Sequence, residues 1–364
     1  MTALTALLCV ALGALIPVTV GAWMVQRGWR QLAVAEAYHE VARTLGLPVD
    51  TRGASLRGHL GEQRIWVGEV MVGYGVDRHM LCWAVLDHER PLSLGCMLRP
   101  RGLSERLWRR ARAPAVPLLD PEFDQAVEVQ GDDPEIIRQW LDGPVRMRLL
   151  AMLERWRNVI VTDRSVRVHM PRPLSTTPEL QELVRDLREL STTLVEARRA
   201  LPPPRRLEPF VPVWRQLAAR YGLDVEDAFP AATGAVDGRR LFLWPVRTSQ
   251  GFAAELRVGF RPHRHLGLQL HPQLHAADDD DPTAQDIEVG DDAFDRAFVV
   301  KGYDPDRIRD LLTPDARREL LSLEQTTKLN ADDVRLHVTN LTLDESALIA
   351  TIDRAIAAAA AMGW

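Results

Sequence analysis

The chain has 364 residues, a formal net charge of −5, 26% charged residues and only three cysteines. This length suits two domains of about 150–180 residues better than one, and the ordinary charged fraction excludes wholesale disorder. The slight acidity argues against a general nucleic-acid-binding protein, so no nucleic-acid partner is expected, and three cysteines are too few for a disulfide scaffold.

The first element in chain order is an uncharged stretch from Thr2 to Val25. As a helix, its 24 residues would extend about 36 Å, which is enough to cross a hydrocarbon core of about 30 Å. A cleaved signal peptide is disfavoured, because no basic side chain precedes the run and the run is longer than a signal-peptide core. Residues 1–30 are therefore predicted to be a transmembrane anchor and its flank.

The flanks of this anchor predict its orientation. Arg27 and Arg30 follow the apolar run directly, and no side-chain charge precedes it. Because basic residues are retained on the cytoplasmic side of a membrane helix, the C-terminal bulk is expected in the cytoplasm. The sequence thus predicts a single-pass integral membrane protein.

The remainder of the chain contains an internal repeat. The segment ARTLGLPV from Ala42 reappears as AARYGLDV from Ala218, and FDQAVEVQGDDPEIIRQWL from Phe123 reappears as FDRAFVVKGYDPDRIRDLL from Phe294. The order of the matching segments is preserved while their offset falls from 176 to 171 residues. Duplicated domains whose loops changed length would leave this pattern.

We therefore predict a first module over 31–200, a second module over 213–364 and a Pro-rich linker over 201–212 that acts as a semi-rigid spacer. The predicted helices are 31–46, 145–157 and 177–200 in the first copy, and 209–222, 314–325 and 344–362 in the second. The predicted strands are 64–72, 79–87, 92–98, 159–162 and 165–170, then 240–246, 252–260, 266–271, 334–338 and 340–343. Each module is expected to be α+β with a mostly antiparallel sheet, compatible with a pleckstrin-homology-like half-barrel closed by its last helix.

The motif FDxxFxVxGxDP, followed by LLTP, occupies Phe294–Pro314. It resembles uncharacterised single-pass membrane-anchored proteins of bacteria. The resemblance implies the architecture only, because the family has no known activity. The expected location, the bacterial inner membrane, follows from the predicted anchor. The first copy departs from the motif, with Val127 in place of Phe298 and Asp142-Gly143-Pro144 in place of Thr313-Pro314.

The repeated carboxylates are the first candidates for chemistry. Asp124 with Asp133 in the first copy, and Asp295 with Asp304 in the second, invite an acid–base interpretation, but turn and helix-cap roles explain them better. The repeated Phe123 and Phe294 are expected in the core. Walker loops, nucleophile elbows and CxxC pairs are all missing from the sequence, so no catalytic residue and no cofactor is predicted.

Cys82 and Cys96 flank a predicted hairpin and would face each other across it, or lie separately as buried reduced thiols, which is the favoured interpretation. A metal site is a second hypothesis. It would use His271 and His275 with Asp278 and Asp280, since imidazoles and carboxylates suit Zn, Ni or Cu. A solvated loop is the alternative for that segment.

The loop after the third strand is basic in the first copy. Arg106, Arg109, Arg110 and Arg112 surround Trp108 there. This pattern suits a lipid or protein contact, or simply a solvated loop. The equivalent loop of the second copy is acidic, with Asp278–Asp281.

A stripe of leucines on the predicted helix 177–200 raises the question of a homo-oligomer. The stripe comprises Leu180, Leu183, Leu187, Leu190, Leu194, Ala197 and Leu201, which alternate three- and four-residue steps as in a coiled-coil seam. Two interpretations stay open: the stripe pairs with a second copy of the chain, or it packs on its own sheet.

Together these observations favour a membrane-anchored tandem binding or scaffolding protein of unknown ligand, with a protein partner. The alternative is a membrane-anchored hydrolase or transferase whose site lies between the two modules. The absence of a nucleophile–base pair at motif spacing favours binding over catalysis.

The anchor and its orientation can be measured directly. A reporter that is active only in the periplasm, fused after Trp364, is expected to be silent, because Arg27 and Arg30 keep the C-terminal side in the cytoplasm. A reporter active only in the cytoplasm, fused at the same position, serves as the matched control and should be active. Periplasmic activity would contradict the orientation, and release of the chain from membranes by carbonate would contradict the anchor.

Overall fold

A computed structural model describes much of the chain after the predicted anchor. The described residues are 32–47, 55–72, 79–102, 115–226, 231–248, 251–260, 266, 268–273, 285–302, 304–324, 328–332, 335–341 and 344–363. The predicted anchor, 1–30, lies outside these ranges. Within them, none of the helices has the length and apolar character required to cross a bilayer.

Runs of consecutive strands are followed by short groups of helices along the described chain. The strands are β1 (Leu56–Leu60), β2 (Gln63–Val72), β3 (His79–Asp87), β4 (Met97–Pro100), β5 (Val127–Gln130), β6 (Asn158–Thr162), β7 (Ser165–Met170), β8 (Asp224–Glu226), β9 (Ala231–Val236), β10 (Arg239–Thr248), β11 (Gly251–Gly259), β12 (Gln269–Pro272), β13 (Gln285–Asp286), β14 (Phe298–Gly302), β15 (Lys328–Asp332) and β16 (Arg335–Leu341). The helices are α1 (32–45), α2 (Pro121–Ala126), α3 (Pro134–Trp140), α4 (Gly143–Trp156), α5 (Thr177–Arg199), α6 (Val211–Tyr221), α7 (Asp292–Ala297), α8 (Pro305–Leu311), α9 (Pro314–Glu324) and α10 (Glu345–Ala361).

These elements belong to two compact units. The first contains the described residues up to Glu89, Leu149–Ile160 and Ser165–Thr192, and the second contains Arg90–Arg148, Val161–Arg164 and the chain from Thr193 onward. Helices and antiparallel strands occur together in both, so the α+β class predicted from the sequence is confirmed. The two modules and their linker, defined by sequence repeats, stay a prediction.

The first unit contains an antiparallel sheet in the order β1-β2-β3-β7. Alternate residues of β2, β3 and β7 face one side and are buried, since successive side chains of a strand point to opposite faces. They include Ile65, Val67, Ala84, Leu86, Val166 and Val168, none of which is exposed to solvent. The leucines of the stripe that lie on α5 are equally buried within the single chain, whereas Ala197 and Leu201 are half-buried. This burial agrees with packing inside the chain, and the homo-oligomer stays a prediction.

The second unit contains a nine-stranded sheet in the order β13-β14-β12-β15-β16-β11-β10-β9-β8. It also contains β4, which pairs with β5 and, through Leu98 and Met97, with Val161 and Thr162 of β6. The neighbours repeat between the two copies of the sequence. The order β1-β2-β3-β7 corresponds to β9-β10-β11-β16, and the order β6-β4-β5 corresponds to β15-β12-β14.

Several predicted strands are displaced. The predicted strand 92–98 is shorter and later, because only Met97–Pro100 forms β4. The predicted hairpin 334–338 with 340–343 is wrong: the paired strands are β15 and β16, which meet in register from Lys328 opposite Thr339. The sequence KLNAD of β15 alternates polar and apolar residues, but four of its five residues are of types that are depleted in strands, so the sequence alone does not indicate a strand.

The repeated motif around Phe123 and Phe294 is structural. Both rings are completely buried, as predicted. The Asp124 carboxylate accepts hydrogen bonds from the backbone N–H groups of Leu118 and Leu119, each at 3.1 Å, and therefore holds the turn before α2. The carboxylate of Asp295 repeats this arrangement in front of α7.

Aspartates also cap the short helices that follow. Asp133 accepts from the N–H groups at the start of α3, and Asp304 does so at the start of α8, both followed by Pro at the first helical position. Two further caps were not predicted, Asp120 of α2 and Asp291 of α7. Carboxylates of the motif are thus occupied by backbone groups, which accounts for their recurrence without catalysis.

The motif glycine of the first copy, Gly131, is required by close packing. A Cβ atom built at this position would lie 1.9 Å from Cδ1 of Ile137, which is itself completely buried. Gly143, at the start of α4, provides a contrast, because nothing lies within 4 Å of a Cβ built there.

Gly131→Ala is therefore expected to destabilise the fold by about 1–3 kcal/mol, the usual cost of overpacking a core. Gly143→Ala is the matched control and should be neutral or slightly stabilising, since alanine favours a helix over glycine. Thermal unfolding of the two purified variants measures the difference. Equal melting temperatures would contradict the packing argument.

Candidate functional site

The linker between the repeats forms a turn that presents two arginines. The N–H of Leu207 donates to the carbonyl of Pro204 at 2.7 Å, which closes the turn. Both end residues are buried, whereas Arg205 and Arg206 between them are exposed. Burial of the two ends therefore holds both guanidinium groups on the surface of the second unit.

A buried arginine fastens the beginning of this linker. The Arg198 side chain is fully buried and donates to the carbonyls of Leu92 at 3.0 Å, Leu201 at 3.2 Å and Pro202 at 3.1 Å. Burial lowers the pKa of Arg198 to about 10, although the nearby Asp163 carboxylate opposes the shift. The guanidinium stays charged at neutral pH, so the linker is tied to the segment around Leu92.

The segment 92–96, whose Leu92 carbonyl accepts from Arg198, is held in place by the carboxylate of Asp163. Asp163 accepts from the backbone N–H groups of Leu94 at 2.9 Å, Gly95 at 2.7 Å and Cys96 at 3.2 Å. Its own carbonyl accepts from the N–H of Leu92 at 2.8 Å. These bonds explain why residues before Met97 do not extend β4, since their N–H groups are already used.

A cleft of about 160 Å³ opens beside the turn. The turn residues Pro204, Arg205 and Arg206 line one part of it, and Phe252 at the start of β11 lines another. The Phe252 ring is half-buried and lies 6.0 Å from the Phe210 ring, centroid to centroid. The cleft thus joins a cationic edge to an aromatic wall.

The remaining wall comes from the segment held by Asp163 and from the start of α3. Ser93 and Leu94 line it, with Ser93 in the left-handed conformation at a φ of 55°. Asp132 and Asp133 also line it, but Asp133 already caps α3. The Asp132 carboxylate lies 4.0 Å from the Arg206 guanidinium and is mostly buried.

A second set of charges in this unit connects residues from the two copies of the repeat. Glu226 of β8 forms ion pairs with Arg90 and, at 3.7 Å, with Arg199. The buried Glu255 of β11 pairs with Arg164 and hydrogen-bonds to Nε2 of His337 at 3.0 Å.

The surroundings of Glu255 and His337 lower the pKa of both side chains. Burial alone would raise the pKa of Glu255, but the hydrogen bond with His337 and the charges of Arg164 and Arg257 outweigh burial and lower it to about 2. Burial lowers the pKa of His337, and the Arg257 and Arg335 charges add to this, while Glu255 opposes it. The stable arrangement is an ionised Glu255 beside a neutral imidazole.

A serine–histidine pair in the first unit was not predicted. Nδ1 of His88 lies 2.8 Å from Oγ of Ser191, and the Gln63 amide donates to the same hydroxyl at 3.0 Å. Ser191 is completely buried and His88 is 2% exposed, so a substrate has no access to the hydroxyl. The pair joins α5 to the strands and is not a nucleophilic site. The sequence contains no signal of this pair, because the two partners are 103 positions apart in the chain.

Cys82 and Cys96 are buried thiols, as predicted. Cys82 lies 3.8 Å from the Tyr38 hydroxyl, and Cys96 lies 3.3 Å from the Asp163 carboxylate. Burial raises the pKa of Cys82 to about 11 and raises that of Cys96 well above its ordinary value. Protonated, enclosed thiols of this kind are unreactive.

The residues proposed from sequence for binding are not brought together in the described part of the chain. Arg106, Arg109, Arg110, Arg112 and Trp108 lie outside it, as do His275, Asp278 and Asp280 of the predicted metal site. His271 lies on β12. Among the described residues, no three His, Cys, Asp or Glu side chains are placed to hold a metal ion. Both sites stay predictions.

Comparisons with known proteins add little. No protein-family model matches the chain. No curated protein matches it either. Among solved structures, the chain is similar to the crystal structure of the mycobacterial trehalose monomycolate transport factor A, TtfA, with a TM-score of 0.29 and 11% identity over 42% of this chain and 92% of that chain. A likeness this distant carries no argument, and the resemblance to bacterial anchored proteins stays a prediction.

Acid is expected to weaken the Glu255 region in two steps. His337 has a pKa below its ordinary 6.5 in the folded chain, so its contribution is complete above about pH 6.5 and is lost as the pH falls below that value. Glu255 has an ordinary pKa of 4.5 and a folded pKa of about 2, so its contribution is lost as the pH falls from about 4.5 towards 2. Hydrogen exchange of β11 and β16 against pH measures both losses.

Glu255→Gln removes the charge that Arg164 and His337 face, and should lower stability by about 1–3 kcal/mol at neutral pH. The acid-dependent loss between pH 4.5 and 2 should become smaller at the same time. Glu196→Gln, at an exposed position of α5, is the matched control and should behave like the unaltered chain. An unchanged acid profile in Glu255→Gln would contradict the assignment.

Proposed function

We propose that this protein is a membrane-anchored tandem binding or scaffolding protein. The helix predicted over Thr2–Val25 holds it in the bacterial inner membrane, and two homologous modules extend into the cytoplasm, where they engage a protein partner. A pleckstrin-homology-like half-barrel for each module belongs to the same proposal.

The open cleft beside Arg205 is the observation that carries this proposal. It combines an exposed cation with an aromatic wall, and such a surface suits recognition. The reactive groups elsewhere are enclosed: Ser191 with His88 is sealed from solvent, and the motif aspartates bind backbone N–H groups. Binding therefore fits the described residues better than turnover does.

The predicted anchor would confine the modules to the membrane surface. A single-pass helix restricts the modules to the neighbourhood of the inner leaflet, which raises the local concentration of any partner held at the same surface. The repeat adds a second module on the same chain, so two contacts are available to one assembly.

Quantitative co-purification tests the proposal. The full chain is solubilised in detergent from cells that carry it at native level, and the proteins recovered with it are compared with those recovered with an unrelated single-pass protein. We expect one partner in a fixed ratio to the chain. Recovery of the same proteins with both baits would contradict a specific scaffold.

The enzyme alternative is separated by a turnover screen on the same preparation. The expected result is no hydrolysis or group transfer above background. Reproducible turnover abolished by Glu255→Gln or by Ser191→Ala, with Glu196→Gln unaffected, would replace the binding proposal with a catalytic one.

A further inference from the structure

We propose that the cleft beside Arg205 binds a peptide segment of a protein partner that presents a carboxylate next to an apolar side chain. This inference rests on the proposed binding function and deepens it, because it names the chemistry of the partner. It is argued from the charges, the wall and the size of the cleft.

Two arginines and two aspartates line the cleft, and both aspartates are engaged by groups other than Arg205. Asp133 is occupied as the cap of α3, where it accepts from the N–H groups of Glu135 at 3.2 Å and Ile136 at 3.3 Å. Asp132 lies opposite Arg206. Within the described ranges, Arg205 forms no ion pair, although it is exposed and lines the cleft. One cation thus remains for a ligand, and a guanidinium pairs most specifically with a carboxylate or a phosphate.

The position of this cation is fixed before binding. Buried Pro204 and Leu207 hold the ends of the turn, and their backbone hydrogen bond closes it. Arg198 fixes the preceding residues through three carbonyls. A pre-organised backbone reduces the ordering cost of binding, so a single ion pair contributes more here than on a free loop.

The apolar wall of the cleft favours a ligand with an apolar side chain next to its carboxylate. Phe252 lines the cleft with a half-buried ring, and the almost completely buried Leu94 also lines it. An apolar side chain seated on this ring is removed from water, which contributes about 25 cal/mol per Å² of apolar surface buried. A fully hydrated anion such as free phosphate would leave that wall unused.

The size of the cleft favours a peptide residue. Pockets that enclose drug-sized ligands or cofactors have about 300–1,000 Å³, whereas this cleft has about 160 Å³. It accommodates one side chain with its neighbouring carboxylate. The carboxylate is supplied either by the C-terminus of a partner or by an Asp or Glu side chain within it.

Small probes test this inference on the full chain in detergent. Saturation-transfer NMR is recorded with N-acetyl-leucine, which has a free carboxylate and an apolar side chain, and with the neutral N-acetyl-leucinamide. Acetyl-Asp-Leu-amide and acetyl-Asn-Leu-amide form the corresponding internal pair. We expect the acid of at least one pair to bind at least tenfold more tightly than its amide, and the responding pair identifies the source of the carboxylate.

Substitutions then assign the binding to the cleft. Arg205→Glu should weaken the acid probe at least tenfold, whereas Arg205→Lys should retain most of the affinity. Arg307→Glu, at an exposed arginine of α8, is the matched control and should leave binding unchanged. Because Arg205 is exposed and unpaired within the described ranges, the variant should keep the melting temperature of the unaltered chain, which excludes misfolding as the cause.

Three results would overturn the inference: equal binding of acid and amide, no binding of either pair, or full binding by Arg205→Glu. The co-purified partner separates this failure from failure of the proposed function. If the partner is recovered equally with Arg205→Glu and with Arg307→Glu, the scaffold remains and the cleft is not its contact. If the unaltered chain recovers no specific partner, the proposed function fails regardless of the probes.

Discussion

The carboxylate of Asp163 binds three consecutive backbone N–H groups of the segment 94–96, and much of the second unit depends on this contact. The segment cannot continue as a strand, because its donors are used by a side chain instead of a neighbouring strand. The Leu92 carbonyl before it accepts from Arg198, and Leu94 lines the cleft. The hydrogen bonds of Asp163 thus position the segment to which Arg198 attaches the linker.

Other carboxylates of the chain serve the same purpose. The aspartates of the repeated motif cap short helices or hold the turns before them, and each such contact contributes about 1 kcal/mol. Short helices such as α3 have few internal hydrogen bonds of their own, so their ends matter more than in a long helix. Stability of the small elements, and not proton transfer, explains why these acids recur at equivalent positions.

Glu255 and Arg205 differ in how their charges are used. Glu255 of β11 is buried, and both of its partners belong to the fold. It pairs with Arg164, between β6 and β7, and hydrogen-bonds to His337 of β16. Arg205 is held at the surface by a rigid turn and keeps its charge available. Buried polar groups that are fully hydrogen-bonded stabilise one structure. Exposed polar groups that are held in a fixed position can bind a ligand at a lower entropic cost. This contrast is the physical basis of the binding function proposed above.

The sequence by itself determined the α+β class, the caps at Asp133 and Asp304, and the burial of Phe123 and Phe294. These features are encoded within a few residues, as an i to i+3 contact or a two-residue alternation, so periodicity detects them. The strand β15 was missed because four of its five residues are of types that are depleted in strands, and its pairing with β16 supplies the stabilisation.

Only the tertiary structure decided the contacts of Asp163, the pairing of His88 with Ser191 and the cleft beside Arg205. The partners of Asp163 lie 67–69 residues away in sequence, and those of His88 lie 103 residues away. No local pattern encodes a partner at such a separation, because the contact exists only after strands and helices have packed. The prolines of the linker are visible in the sequence. The burial of Pro204 and Leu207 and the exposure of Arg205 depend on the surface against which the linker packs.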